Sequence, residues 1–340
     1  MTRQLAWLGG LALAAAHAAV AQAPVPVTVD NFVRAESDVY MAGLYKDSGG
    51  QLATFNHRRA VADIDHQTVI RLNRDTLYSS ALFDLDAGAV TVTLPDAGSR
   101  FMSMQVISED HYVPAVFYKP GAYTLTRDMV GTRYVAVAVR TLVDPNDAAD
   151  LARVHALQDA ITVKQAQRGA FEVPNWDPVS QKKVRDALLV LSSTSTGFSG
   201  AFGKKGEVDP VKRLLGAAAG WGGNPDKDAT YLGETPAKND GTTVHRVTVR
   251  DVPVDAFWSI SVYNEQGYFE KNSLGAYSIN SITGKKAADG STTVQFGGCD
   301  GKVPNCLPIV KGWNYTVRLY RPRPEILDGT WKFPKAEPVT

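Results

Sequence analysis

Short runs of apolar and polar residues alternate with a period of two across residues 67 to 142. They are VTVTLP (90–95), RFMSMQVI (100–107), AVFY (115–118), AYTL (122–125) and RYVAVAVRTL (133–142). These runs are β-branched or aromatic, and DAG, SEDH, KPG and MVGT turn chemistry separates them. That rhythm predicts an antiparallel sandwich or barrel rather than alternating βαβ units. The same period returns from residue 243 onward in TTVHRVTV, AFWSISVY, AYSINSI, TTVQFGG and WNYTVRLY. In the last of these, Tyr315, Val317 and Leu319 take one face, and Thr316, Arg318 and Tyr320 take the other. Four stretches read as helical instead. Thr28 to Tyr45 places Phe32, Ala35, Val39, Ala42 and Gly43 near one face, with Thr28 or Asp30 as cap and SGG at 48–50 as terminator. Residues 147–165 carry Leu151, Val154, Leu157 or Gln158, and Ile161 at helical spacing. Further helices start at Asp177-Pro178 and Asp209-Pro210, with proline in the first turn. GWGGNPD (220–226) reads as a hinge or loop. The expectation is a mainly β chain: two β-sandwich lobes, residues 24–146 and 220–340, with a small helical segment, 147–219, between them.

The N-terminus changes the picture of where this chain resides. Arg3 precedes an apolar run from Leu5 to about Val20, and Ala21-Gln22-Ala23 follows with small-x-small spacing. These are the three parts of a secretory signal peptide, so removal of residues 1–23 and a periplasmic or secreted location are expected. No later stretch reaches the ~20 apolar residues of a membrane-spanning helix, so stable membrane insertion is not expected after removal. Loss of Arg3 takes the count from 36 Lys+Arg against 35 Asp+Glu to a formally neutral chain, which predicts no basic face for nucleic acid. The two cysteines, Cys299 and Cys306, lie in GGCDGKVPNCLP; an even count in an oxidising compartment predicts one disulfide.

Candidate chemistry centres on IRLNRDTLYSSALFDLDAG (70–88). Asn73, Arg74 and Asp75 set an amide, a guanidinium and a carboxylate side by side, with Thr76 and Tyr78 next. In a functional reading Arg74 grips a carboxylate, Asp75 acts as base or orienter, and Tyr78 donates a hydrogen bond. In a structural reading Asn73 and Asp75 bond local backbone and the segment is a buried polar knot. Either way the strand sends Leu77, Ser79, Ala81 and Phe83 to one face and Tyr78, Ser80 and Leu82 to the other. His111, directly after a strand in ISEDHYVPAVF, is the histidine best suited to acid–base work; its neighbour Asp110 faces the opposite way in extended backbone. His57 and His66 flank Asp63 and Asp65, but their spacing fits no common metal site, and no metal is expected. His155 reads as solvated and His245 as structural. Asp226, Asp228 and Thr230 lack the turn glycine of a calcium loop and suit a turn. Trp258, Tyr263, Tyr268, Phe269, Tyr277, Trp313 and Tyr320 form an aromatic set, mostly core or rim of the second lobe, from which Trp258 and Tyr263 are candidates to stack on a ligand.

No GxSxG, P-loop, GxGxxG or HExxH is present, and Ser180-Gln181-Lys182-Lys183 fits S-x-x-K without its companion motifs. The wording of several segments is more informative. NRDTLYSSALFDLDAG with TVTLPDAGSRFMSMQVISEDHY resembles the N-terminal family catalogued as domain of unknown function 1254. PVDAFWSISVYNEQGYFEKN, DGSTTVQFGG, NCLPI and GWNYTVRLYRPRPEILDGTWKFP resemble its partner, domain of unknown function 1214. The resemblance implies an immunoglobulin-like β lobe, a helical segment and a jelly-roll-like C-terminal lobe. Two departures stand out. Many members resemble NWLP where this chain has Asn305-Cys306-Leu307-Pro308, and many have an Arg-Tyr pair where it has Ala276-Tyr277. The resemblance implies that the cysteine pair here replaces the packing of a tryptophan.

Two functions are therefore expected. One is an exported, cofactor-independent hydrolase acting on a small organic molecule between the lobes, with Asp75, His111 and Arg74 as catalytic candidates and Asn73 and Tyr78 among the ligand-binding walls. The other is a non-catalytic periplasmic binding or envelope-associated protein. Self-association is compatible with both.

Overall fold

A computed structural model describes residues 23–67, 70–195 and 197–339. The expected signal peptide lies outside the described residues, apart from Ala23. In chain order the first lobe contains helix α1 (Phe32–Asp47), then strands β1 (Asn56–His57), β2 (Thr76–Asp84), β3 (Val90–Leu94), β4 (Met102–Ser108), β5 (Ala115–Phe117) and β6 (Gly121–Leu125). A short helix α2 (Arg127–Val130), strand β7 (Tyr134–Leu142), helix α3 (Ala148–Asp159) and strand β8 (Thr162–Gln165) follow. A five-stranded sheet, β1-β2-β7-β4-β5, faces a three-stranded sheet, β6-β3-β8. Ala81, Phe83, Met104, Val106, Val135, Val137 and Val139 of the first pack onto Val90, Val92 and Leu94 of the second, burying a core that excludes water. The sandwich reading holds. The expected continuous helix over 147–165 instead ends at Asp159, and Thr162–Gln165 pairs antiparallel with β3. The segment between the lobes is thus only partly helical.

Helices α4 (Pro178–Ser192) and α5 (Pro210–Gly220) start where the Asp-Pro pairs predicted. Asp177 accepts from the backbone N–H groups of Val179 and Ser180, and Asp209 from that of Lys212, which satisfies donors left free at a helix start. With α1 they pack a small core of Val27, Phe32, Ala35, Leu188, Leu215 and Ala217. The second lobe holds β9 (Ala229–Glu234), β10 (His245–Val249), β11 (Trp258–Tyr263), β12 (Ser278–Asn280), β13 (Thr292–Phe296), β14 (Cys306–Leu307), β15 (Asn314–Tyr320), helix α6 (Pro324–Leu327) and β16 (Glu337–Pro338). Its sheets, β14-β13-β10-β16 and β12-β11-β15-β9, enclose Val247, Val294, Phe296, Ile260, Trp313, Tyr315, Val317 and Leu319. The Cys299–Cys306 disulfide forms. Among the described residues no helix is long and apolar enough to cross a membrane.

The outer face of the five-stranded sheet positions the site. Its period-2 alternation turns Tyr78, Ser80 and Leu82 outward beside Arg140, Ala138, Ala136 and Tyr134 of β7. At one end Leu82, Ile107, Ala136 and Tyr134 are covered by Met41 of α1 and by Trp221. At the other end Tyr78 and Arg140 meet the second lobe, whose β15 is buried on both faces.

Candidate functional site

The IRLNRDTLY segment, residues 70–78, divides its side chains between the lobes. Arg71, held at φ 54°, donates to Asn314 Oδ1 (2.8 Å) and Thr316 Oγ1 (3.1 Å) on the outer face of β15. The Leu72 carbonyl accepts from the Tyr263 hydroxyl at 2.8 Å. Arg74 turns outward: its guanidinium donates to the Ala62 carbonyl and lies 5.1 Å from the centre of the Tyr277 ring. It thereby supplies from the first lobe a cation beside Tyr277, whose own predecessor here is alanine. Asp75 turns inward and is fully buried, with Oδ1 accepting from Asn280 Nδ2 at 3.2 Å. Its Oδ2 and the neighbouring Ser259 hydroxyl have no hydrogen-bond partner among the described residues. Burial raises the Asp75 pKa, against the opposing charge of Arg318.

Asn73 and Tyr78 do meet. Asn73 Nδ2 donates toward the Tyr78 hydroxyl (3.3 Å), the Tyr320 hydroxyl (3.1 Å) and Thr76 Oγ1 (3.2 Å). The two phenols are driven in opposite directions. Burial alone would raise Tyr78, but the Arg140 charge and donation from Asn73 outweigh it and lower its pKa. Burial, reinforced by the neighbouring Tyr231 and Tyr78 phenols, holds Tyr320 well above the usual tyrosine range. Arg140 is 7% exposed and lies 5.4 Å from the Tyr78 ring centre, with Nη1 donating to Gln105 Oε1 and Nη2 to the Gly222 carbonyl (3.1 Å). Among the described residues no carboxylate lies within 4 Å of it. Tyr231 of β9 closes the far side, its hydroxyl accepting from Asn224 Nδ2 at 2.8 Å. Solvent reaches 42% of Tyr231, yet desolvation is the largest influence on its phenol and raises its pKa. We take the solvent-reached space beside this side chain to be a recess between the lobes. Tyr78, Ser80 and Ala138 on the facing sheet also retain partial exposure. The recess therefore runs between the outer face of the first lobe's sheet, the Gly222–Asn224 loop and β9.

His111 is not in it. It sits at φ 59° in the turn after β4, with its ring 5.7 Å from Trp221 and 5.8 Å from Phe202. Its Nε2 accepts from the Gly222 N–H at 2.9 Å, so the neutral ring carries its proton on Nδ1. Burial, with Arg213 nearby, depresses its pKa to about 3, which keeps the ring neutral near pH 7. His111 acts on the recess indirectly, by fixing Gly222, whose carbonyl holds Arg140. Arg74, Asp75 and His111 consequently do not converge on one point. Trp258 packs against Phe333 in the second lobe's core, and Tyr263 is buried against Phe269. Neither presents a stacking face. Asp226 caps a turn through Gly200 N–H, and Asp228 binds the Tyr118 hydroxyl at 2.7 Å.

Sequence reasoning missed Arg140, Tyr231 and Gln105, placed Arg318 only by face, and placed Tyr320 by face and in the aromatic set of the second lobe. A signal was available: Arg140 is a lone charge near the end of the otherwise apolar run YVAVAV.

The family models agree with this division into lobes. The family described as protein of unknown function (DUF1254) matches residues 52–122, and protein of unknown function (DUF1214) matches residues 229–324. The chain is a two-domain protein of these families. The DUF1254 match holds Asn73, Asp75, Tyr78 and Gln105, and the DUF1214 match holds Tyr231, Arg318 and Tyr320, so the recess lies where the two families meet. Arg140 falls outside both matches. Among solved structures, the VPA0106 protein from Vibrio parahaemolyticus is 17% identical with a TM-score of 0.70, covering 92% of this chain and 98% of that one. An uncharacterized protein from Burkholderia cenocepacia is 12% identical with a TM-score of 0.53, covering 91% and 88%. Both likenesses speak to the fold. No curated protein matches the chain.

Proposed function

We propose that this protein is an exported acid–base enzyme, a hydrolase of small organic anions, working in the recess between its lobes. The observation that carries the reading is the Tyr78–Tyr320 pair. Two phenols share one amide donor while their surroundings push their proton affinities apart, the arrangement by which a site separates a base from an acid. Tyr78 takes a proton from the attacking water, Tyr320 stays protonated and donates to developing negative charge, and Arg140 holds the anionic group of the substrate. A buried guanidinium with no carboxylate within 4 Å is costly in isolation, and an anionic ligand would relieve that cost. Export is supported by the N-terminal pattern and by the disulfide.

The test is a panel of anionic esters, amides and glycosides offered to wild type, Tyr78→Phe and Arg140→Gln, each checked for folding by circular dichroism. Turnover that falls about 10²-fold or more in Tyr78→Phe supports the assignment. Equal turnover in both variants and wild type refutes it. A binding role without chemistry is the second reading, favoured because Asp75 and His111 stand outside the recess. Saturable binding lost in Arg140→Gln, with no turnover of any substrate, would establish it.

A further inference from the structure

A second hollow lies on the outer side of the same lobe junction. It encloses about 290 Å³ and is lined by Phe101, Tyr118, Asp255, Phe257, Ile282 and Arg321, among others. Its floor is aromatic: Phe101 meets Phe257 edge-on at 5.2 Å, and Phe257 stacks at 4.2 Å on Tyr320, whose hydroxyl belongs to the inner recess. The aromatic wall separates the two spaces. Arg321 is the polar feature. Its backbone is held at φ 52°, a left-handed conformation that strains any residue with a Cβ. Two backbone hydrogen bonds fix it there, from its own N–H to the Asp228 carbonyl and from Asp255 N–H to its carbonyl, both 2.9 Å. The guanidinium lies 4.9 Å from the Tyr118 ring centre. Its one ion contact, Asp255 Oδ2 at 3.9 Å, is loose, because Asp255 is claimed by Arg323 at 2.7 Å. No hydrogen bond from the Arg321 side chain is made among the described residues. Arg100 on the same wall differs: its guanidinium is engaged by Asp150 and by the Leu142 carbonyl.

We infer that this hollow is a second ligand site, for an aromatic carboxylate. The planar guanidinium, set over the Tyr118 ring and making no hydrogen bond among the described residues, suits a carboxylate in two-point contact, and the Phe101–Phe257 floor takes the ring. This inference does not depend on the recess being catalytic.

Benzoate and its neutral counterpart benzamide separate charge recognition from simple burial of a ring. Titration calorimetry at low ionic strength should find benzoate bound at least about tenfold more tightly than benzamide by wild type. Arg321→Gly removes the guanidinium and suits the left-handed backbone, so the variant should fold while losing about tenfold in benzoate affinity. Ile282→Glu sets a negative charge on the rim at a residue that is 57% exposed, and should weaken benzoate while leaving benzamide unchanged. Equal affinity for the two probes overturns the site. So does benzoate binding that survives both substitutions, or that is abolished by Arg140→Gln instead, which would place the ligand in the recess.

Discussion

Asp38 of α1 supplies a test of how buried charge sets stability. It is 1% exposed, and its Oδ2 accepts from Trp176 Nε1 at 2.8 Å. Desolvation, with the Glu109 carboxylate alongside, pushes the Asp38 carboxyl from the usual 3.8 up to about 7. The folded protein therefore keeps this proton where the unfolded chain has already released it. Because the native state binds more protons across that interval, stability falls as pH rises from about 4 to about 7 and is flat beyond. The span of about 3, at ~1.36 kcal/mol each, amounts to on the order of 4 kcal/mol. Roughly two-thirds of it falls above pH 5. Asp38→Asn keeps the shape and removes the titration. Urea unfolding followed by tryptophan fluorescence suits the measurement, since Trp176 touches Asp38 and Trp221 stacks on Tyr40 of α1 at 4.7 Å. Relative to the variant, wild type should lose about 3 kcal/mol between pH 5 and pH 8. A wild-type-to-variant difference that is the same at both pH values would refute the reasoning.

Three further outcomes follow from packing and linkage. A Cβ on Gly223 would meet the Phe202 ring at 2.4 Å, so Gly223→Ala should cost about 1–3 kcal/mol in urea unfolding and weaken ligand binding at the recess, whose Gln105 is held by the Gly223 carbonyl. Gly169 stands at φ +76° with Asp84 Oδ2 2.5 Å from the place a Cβ would take; Gly169→Ala should disturb the Asp84–Arg133 pair and lower the thermal midpoint by several degrees. Replacing Cys299 and Cys306 by alanine frees a loop with a sequence separation of 7, and should lower stability by about 2–3 kcal/mol, seen as a shift in urea midpoint.

Legibility in the sequence followed the range of the interaction. The faces of β15 were readable because alternation is local: Tyr315, Val317 and Leu319 fill the second core, while Thr316, Arg318 and Tyr320 turn toward the first lobe. The starts of α4 and α5 were readable because an Asp-Pro pair caps its own helix. Thr162–Gln165 was not, since Ile161 continues the helical spacing while the partner strand lies some seventy residues earlier. The recess failed in the same way. Asn73 and Tyr78 could be picked out as polar residues on one strand, but their partner Tyr320 lies 247 residues from Asn73. Adjacency in the chain suggested instead that Arg74 and Asp75 act together, whereas successive side chains of the segment point to different lobes.

The contrast among the arginines is what favours a working site over a structural knot. Some arginines are given a carboxylate, as Arg100 has Asp150, Arg133 has Asp84 and Arg185 has Glu36, whereas the buried Arg318 is held by the Ser261 and Tyr263 hydroxyls and the Arg71 and Leu72 carbonyls. Each of the carboxylate-paired guanidiniums is more exposed than Arg140, so water would have eased its burial and the pairing was the less necessary. Arg140, nearly enclosed, is met by the Gln105 amide oxygen, the Gly222 carbonyl and the Tyr78 phenol. A knot built for stability would place the strongest compensation where desolvation is greatest. Arg140 donates to fewer acceptors than the still more buried Arg318, and solvent reaches the facing Tyr231. A cation left short of negative charge beside a wet recess is what recognition of an anion requires, and the lowered Tyr78 phenol is its direct consequence.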